Sequence, residues 1–171
     1  MGILSGNPKN EPLHYGEVFG IWSYLSTSKM CRAGYQTVLN HAGDGDLKKL
    51  IEEAIGGLSH EISQTEQLLK ENGVGLPPTP PDRPAADLES IPAGARILDP
   101  EISAGISMDI AAGLVGCSTI IGQSVREDVA IMFGQFHTAK AMLGAKFLRL
   151  NKEKGWLVPP PLHLHTPGDA K

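Results

Sequence analysis

The sequence is poor in the residues that mark several classes of protein. It has two cysteines among 171 residues, too few for the disulfide framework of a small secreted domain. Aromatic residues make up 5% of the chain while Gly numbers 20, so its helices must pack closely through small side chains. The formal net charge of −4 argues against a nucleic acid or an anionic membrane as a partner.

Targeting and membrane signals are also lacking. The first residues, MGILSGNPKNEP, have neither the basic start nor the apolar stretch of a signal peptide. Gly6 stands where a myristoylation signal needs Ser or Thr. The run IAAGLVGCSTIIG has about 13 residues where a membrane span needs about 20, so we interpret it as part of a buried helix. We expect a protein without a membrane span that is cytoplasmic when it is made.

The clearest pattern that is present lies between Ser124 and Leu150. Apolar residues recur there at helical spacing: Val129, Met132, Phe133, Phe136, Leu143, Phe147 and Leu150. Ser124 with Glu127 three residues later predicts a capping box at the helix start, and Gly155 predicts its end. A helix of this length needs partners that cover its apolar stripe, because packing supplies most helical stability in proteins.

The same periodicity predicts three partner helices. The four predicted helices span about 12–42, 45–72, 100–123 and 125–154. Asp44 or Asp46 begins the second helix after a short turn, which makes the first two helices antiparallel. Asp99 followed by Pro100 predicts the start of the third helix, with Asp99 as its N-cap. The predicted fold class is therefore all-α, a four-helix bundle in a single domain over residues 1–171.

The segment between helices two and three has a different composition. Residues 73–99, which we call the strap, contain six prolines and show no helical period. In the polyproline conformation, at about 3.1 Å per residue, the strap could run the length of a long helix. A long crossover at this point is typical of ferritin-like bundles, whereas a simple up-down bundle needs short loops. Residues 1–10 are predicted to be a flexible arm and residues 156–171 an extended tail.

A ferritin-like di-metal site is not evident in the sequence. Such a site takes a Glu from each of two helices and Glu-x-x-His from the other two. The one Glu-x-x-His here runs from Glu11 to His14 and is split by Pro12. His14 with Glu17 could bind a metal at the bundle end, but a solvated helix start explains the same residues. The ligand set for two irons is incomplete, and the cofactor, if there is one, is unknown from the sequence.

Three polar residues fall on or beside predicted inward faces: Lys29, Asp109 and His137. Pairing the helix hairpins end to end places Lys29 and His137 at similar depths, with Asp109 within about one turn of them. An isolated charge in a core is costly, so these groups should meet one another or water. They could form a proton-handling or small-ligand pocket, or a satisfied polar layer that fixes the register of the helices.

No catalytic motif accompanies these residues. The sequence has no Ser-His-Asp order, phosphate-cradling loop, zinc spacing or Cys-His nucleophile that stands out, and its glycines do not follow predicted strands as a dinucleotide fingerprint requires. We therefore do not expect enzymatic activity.

Four longer motifs point to a family. They are NEPLHYGEVF (10–19), GVGLPPTPPDRP (73–84), QSVREDVAIMFGQFHTAKA (123–141) and LNKEKGWLVPPPLH (150–163). They resemble an uncharacterised ferritin-like family of endospore-forming bacteria, whose members are often labelled spore-coat proteins. The resemblance covers nearly the whole chain and implies a ferritin-like bundle with a structural or interaction role in the spore coat. A metal- or small-ligand-binding protein is the alternative.

The same resemblance suggests partners. The family includes longer members with two tandem copies of this unit, which implies that a homodimer could replace the second copy here. Other coat proteins are the second class of partner that the resemblance implies.

Overall fold

The computed structural model describes residues 11–163, which form four long α-helices. The helices are α1 (Tyr15–His41), α2 (Gly45–Glu71), α3 (Asp99–Gln123) and α4 (Glu127–Glu153). The described range contains no strand, which confirms the all-α prediction, and the predicted helix ends fall within about one turn of the observed ones. The arm predicted over 1–10 and the last part of the predicted tail lie outside the described residues.

The direction of each helix follows from contacts between helix ends. The backbone N–H of Gly43, after α1, donates to Asp99 at the start of α3 at 2.8 Å. Nε2 of His14, before α1, lies 3.1 Å from the carbonyl oxygen of Gln123 at the end of α3, so α1 and α3 are antiparallel. Lys154 after α4 pairs with Asp44 before α2 at 2.7 Å, so α2 and α4 are antiparallel too. The helix directions are therefore up, down, down and up.

This order requires a crossover along the bundle, and the strap provides it as predicted. It lies against α1, whose polar side chains bond its backbone at successive heights. The indole N–H of Trp22 donates to the Gly75 carbonyl at 3.0 Å. The amide of Asn40 both donates to the Pro84 carbonyl and accepts from the Ala86 N–H, each at 3.0 Å. The strap ends at Leu98, since Asp99 is already the first residue of α3.

The apolar core is divided into two clusters, one at each end of the bundle. The cluster at the α1–α2 turn includes Ala42, Leu47, Ile51, Ile102, Phe147 and Leu150. The cluster at the α3–α4 turn includes Ile21, Leu25, Leu69, Cys117, Val129 and Phe133. The level between them is therefore where the bundle has room for polar groups.

The capping box predicted at Ser124 is wrong. Ser124 ends α3, and its hydroxyl donates to the Ile120 carbonyl at 2.8 Å. The start of α4 has no side-chain cap of its own. Instead, Oε1 of Glu17 on α1 accepts from the backbone N–H groups of Val125 and Arg126 at 2.9 and 3.2 Å. The turn between α3 and α4 is so short that Ser124 closes one helix and cannot open the next.

Asp99 is also not the cap that the sequence predicted. Its carboxylate accepts from the N–H groups of Gly43 and Asp44 in the α1–α2 turn at 2.8 and 3.0 Å, and Leu98 occupies the N-cap position of α3. Glu17 and Asp99 thus have matching roles, and we call them the inter-hairpin carboxylates. Each lies in the first turn of one helix hairpin and binds the turn of the other hairpin.

The interpretation of α3 as a buried helix is also wrong. Met108 is 73% exposed and Val115 is 67% exposed. The segment Ala93–Gln123, which contains α3, is the one described segment that is long and apolar enough to cross a membrane, and 22% of its most apolar stretch is buried. Core helices of soluble proteins can pass the same test of length and composition. A four-helix bundle covers one side of each helix, and the apolar residues of α3 continue around to the other.

The inter-hairpin carboxylates lead to a prediction about stability. Glu17→Ala should lower the free energy of unfolding by about 2–4 kcal/mol, because buried N–H groups and a charge-assisted set of hydrogen bonds lose their acceptor. Glu17→Gln should cost less, since its amide oxygen can still accept. Urea unfolding measures both, with the exposed α2 residue Glu52 as control: Glu52→Ala should change stability by less than about 0.5 kcal/mol. Equal effects of Glu17→Ala and Glu52→Ala would contradict the role of Glu17.

Candidate functional site

A polar cluster at the centre of the bundle contains one residue from each helix. Tyr24 lies on α1, Glu61 on α2, Cys117 on α3 and Lys140 on α4. The Tyr24 hydroxyl donates to Oε2 of Glu61 at 2.8 Å, and Nζ of Lys140 donates to the same oxygen at 2.9 Å. The Cys117 thiol lies 3.4 Å from the Tyr24 hydroxyl. Because Glu61 is 5% exposed, its ion pair with Lys140 belongs to the interior.

Small residues on α3 make room for this cluster. A Cβ added to Gly113 would lie 3.0 Å from Cδ of Lys140, and one added to Gly116 would lie 3.6 Å from the Tyr24 ring. The ammonium of Lys140 is 5.8 Å from the centroid of that ring, a distance suited to a cation–π interaction. The Tyr24 ring also meets Phe133 edge to face, with centroids 5.0 Å apart. The glycines therefore let two long polar side chains enter the bundle from opposite hairpins.

The surroundings of the cluster keep its hydroxyl and thiol protonated. Burial, followed by the charge on Glu61, raises the pKa of the Tyr24 hydroxyl far above its usual value. Burial likewise raises the pKa of the Cys117 thiol. A thiol is a nucleophile only as the thiolate, so the arrangement is suited to holding charges and hydrogen bonds in place and unsuited to nucleophilic attack by Cys117.

A cavity of about 550 Å³ adjoins the cluster. All four helices line it, and the lining extends from Gly20 and Ile120 near one end to Tyr35 and Ala54 near the other. Much of its wall is made of small residues, namely Gly57, Ala112, Gly113, Gly116 and Ala139. The cavity thus occupies the level between the two apolar clusters.

The three polar residues singled out in the sequence are not joined in one layer. Lys29 is buried as predicted, but its ammonium donates to the Pro77 carbonyl of the strap at 2.8 Å and pairs with Glu66 of α2 at 2.8 Å. Asp109 is exposed, which makes the predicted burial wrong, and it lies at the cavity wall near Tyr35. His137 is half-buried on α4. Lys29 is on the side of α1 that meets α2 and the strap, so it does not contact α3.

His14 and Glu17, the candidate metal ligands, have capping roles. Nδ1 of His14 accepts from the Gly16 N–H at 3.0 Å, and the His14 backbone N–H donates to Oε2 of Glu17 at 3.1 Å. The pair therefore forms a capping box for α1. Among residues 11–163, no three or more His, Cys, Asp or Glu side chains are grouped so that they could hold a metal ion.

Sequence reasoning missed the central cluster. It did not single out Lys140 or Glu61, which pair in the interior at 2.9 Å. The available signal was periodicity: Lys140 follows Phe136 by four residues on the apolar stripe of α4, and Glu61 follows Leu58 by three on that of α2. Both charges therefore lie on core-facing stripes.

The fold and the site define an all-α four-helix bundle with one long crossover and a buried polar cluster. The chain belongs to the family described as "Protein of unknown function (DUF3231)", whose model matches residues 1–167. It is 59% identical over 170 residues to the "Uncharacterized protein YvdQ" of Bacillus subtilis (strain 168), covering 99% of this chain and 100% of that protein.

A solved structure is also similar to this chain. It is the crystal structure of a protein from Bacillus halodurans C-125 described as "a putative spore coat protein", with a TM-score of 0.91 and 65% sequence identity over 93% of this chain and 100% of that chain. These findings confirm the predicted membership of an uncharacterised family with a relative described as a coat protein. The predicted relation to ferritins stays a prediction.

The buried ion pair predicts a strong coupling between Glu61 and Lys140. Lys140→Met should lower the free energy of unfolding by about 3–5 kcal/mol, because it leaves the Glu61 carboxylate buried without its cation. The double variant Glu61→Leu with Lys140→Met should cost less than that single change, since neither charge is then left alone. A double-mutant cycle from urea unfolding measures the coupling. Additive losses would show that the two side chains do not interact.

The contact between Lys29 and Glu66 predicts a pH dependence. The hydrogen bond from Lys29 holds the pKa of the Glu66 carboxyl below its usual value. Its stabilisation is therefore complete above the unfolded-state pKa of about 4.3 and is lost as the pH falls through the lower folded-state pKa. Wild type should be more stable than Glu66→Gln at neutral pH and should converge with it in acid. Urea unfolding at a series of pH values tests this, and a difference that persists in acid would contradict it.

Proposed function

We propose that the protein is a structural component of the bacterial spore coat that acts by assembly with protein partners, first of all a second copy of itself, and not by catalysis. The observation that carries the proposal is the exposed apolar surface of α3. The relative of 65% identity described as a "putative spore coat protein" supports the cellular context. The absence of catalytic motifs from the sequence is consistent with a structural role.

The exposed side of α3 has the pattern of a helix interface. Six exposed residues recur at alternating spacings of four and three, and we call them the α3 seam: Ala104, Met108, Ala111, Val115, Ser118 and Gly122. This spacing is the heptad pattern by which one helix packs along another. An exposed helix face normally carries charged residues, yet Asp109 is the one charged residue between Glu101 and Arg126. The surface therefore resembles one that a partner covers.

A second copy of the chain is a partner with the right chemistry. The seam consists of small residues with two larger ones, Met108 and Val115, so two such helices can approach closely. Two copies related by a two-fold axis would place identical surfaces against each other, and the seam carries no like charges to repel them. Apolar contacts of the same kind with other coat proteins would let the dimer join a larger assembly.

Solution experiments test the assembly surface. Wild type should be a dimer by size-exclusion chromatography with light scattering, and Met108→Glu with Val115→Glu should be a monomer, because a buried carboxylate without a partner is costly. Met142→Glu is the matched control, since Met142 on α4 is 63% exposed compared with 73% for Met108, and it should leave the dimer intact. A wild type that is monomeric at high micromolar concentration would contradict the proposed interface. So would a Met142→Glu variant that is as monomeric as the variant with Met108→Glu and Val115→Glu.

Fractionation of spores tests the location. When produced during sporulation in Bacillus subtilis, wild type should appear in the extracted coat fraction, and the Met108→Glu, Val115→Glu variant should be depleted there. Recovery of wild type in the spore core or in a membrane fraction would contradict the proposal. Binding of the purified protein to phosphatidylglycerol vesicles through the α3 seam would point to a membrane instead of a protein partner.

A further inference from the structure

The central cavity is larger than helix packing requires. Protein interiors are close-packed and contain few voids larger than a water molecule, whereas ligand pockets have volumes of about 300–1,000 Å³. At about 550 Å³, this cavity has the volume of a ligand pocket. A Cβ at Gly57 would meet nothing within 4 Å, although glycine inside a helix costs about 1 kcal/mol relative to alanine. A larger side chain would therefore fit at Gly57, on the exposed edge of the cavity.

The cavity is accessible from solvent. Gly57 on α2 and Ala139 on α4 line it and are exposed, and so are Thr27 on α1 and Ala112 on α3. The cavity is therefore open both between α2 and α4 and between α1 and α3. Its inner walls include the apolar side chains of Leu58, Ile110 and Leu143. The opening between α2 and α4 lets a small molecule enter without using the α3 seam.

Acidic groups outnumber basic groups in the cavity wall. The lining contains the carboxylates of Glu53, Glu61 and Asp109, and Lys140 is its one Lys, Arg or His. Glu53 pairs outside the cavity with Lys146 at 2.6 Å. Lys140 is already bonded to Glu61 through Oε2, and Oε1 takes part in neither of the two hydrogen bonds to that carboxylate. Asp109 forms no ion pair with any residue in 11–163, and its partner is the neutral Tyr35 hydroxyl, whose pKa is raised by burial and then by the charge of Asp109 and a hydrogen bond to it. The cavity therefore offers hydrogen-bond acceptors and an excess of one negative charge, that of Asp109.

Glu61 and Asp109 belong to the same electrostatic environment. Asp109 is four residues, or about 6 Å along the helix axis, from Gly113, which contacts Lys140. After burial, the charge on Asp109 contributes most to raising the pKa of the Cys31 thiol; the charge on Lys140 lowers this pKa, and the charge on Glu61 raises it by less. A single small group near Cys31 would thus experience both carboxylates.

We propose that this cavity binds a small organic cation, an amine with an apolar body. The apolar part would lie against Leu58, Ile110 and Leu143, and the ammonium group would donate to the carboxylates of Asp109 and Glu61. An ammonium has three N–H donors, which match these acceptors, and its charge offsets the excess negative charge of the wall. The inference rests on the cavity alone, so it stands or falls separately from the role in the spore coat.

Three probes of equal chain length test the selectivity. Hexylamine, hexan-1-ol and hexanoate share one apolar body and differ in the charge of the head group. By isothermal titration calorimetry at neutral pH, hexylamine should bind, hexan-1-ol should bind at least about tenfold more weakly, and hexanoate should be the weakest. Equal affinities for the three probes, or no binding of hexylamine at millimolar concentration, would overturn the proposal.

Two pairs of variants locate the site. Asp109→Asn should weaken hexylamine binding by about tenfold and leave hexan-1-ol unchanged, whereas Glu52→Gln, on the exposed part of α2, should change neither. Gly57→Leu should place a side chain in the opening between α2 and α4 and strongly weaken hexylamine binding. Gly56→Leu is its matched control, because Gly56 is the adjacent exposed glycine, has nothing within 4 Å of an added Cβ and does not line the cavity.

Thermal melts followed by circular dichroism establish that each variant is folded. Both glycine variants should fold, because leucine has a higher helix propensity than glycine. Loss of binding in both glycine variants, or in neither, would place hexylamine outside the cavity and overturn the proposal. Retained affinity in Asp109→Asn would overturn the assignment of the ammonium group.

Discussion

The structure depends on the binding of backbone N–H groups by a carboxylate from the opposite helix hairpin. Glu17 binds the turn between α3 and α4, and Asp99 binds the turn between α1 and α2. The first N–H groups of a helix have no partner within it, so each hairpin supplies acceptors that the other lacks. These bonds at both ends set the relative height of the two hairpins. Lys140 on α4 therefore lies level with Tyr24 and Glu61 of the first hairpin, and a shift of one turn between the hairpins would separate it from them.

Much of the fold follows from local features of the sequence. Asp44 caps α2 as one of the two predicted residues, and Gly73 and Gly155 adopt positive φ where the sequence predicted helix ends. These features depend on a few neighbouring residues. The roles of Glu17 and Asp99 could not be predicted in the same way, because local capping rules assume that a side chain caps its own helix. Which turn each carboxylate meets depends on how the hairpins associate.

The candidate site was harder to predict for a related reason. The spacing of Lys140 and Glu61 on apolar stripes indicates burial, but their pairing requires that α2 and α4 be neighbours. Lys29 was correctly predicted to face inward, and its partners on the strap and α2 were not foreseen. For α3, the error came from treating an apolar sequence as evidence of burial within the same chain. Apolar residues around the whole helix need cover, which a second molecule can also provide.

The strap has a consequence for how the chain folds. All four helices pack as two local hairpins, and the strap is the one covalent link between them within the described range. The entropic cost of closing this loop grows only slowly with its length. The strap is bonded to α1 by side chains such as Trp22 and Asn40. Residues that contact one another within a hairpin are close in the sequence, so each hairpin can form early, before the two hairpins dock. The molecule is in this sense a tethered dimer of hairpins, in which the strap sets the effective concentration of one hairpin for the other.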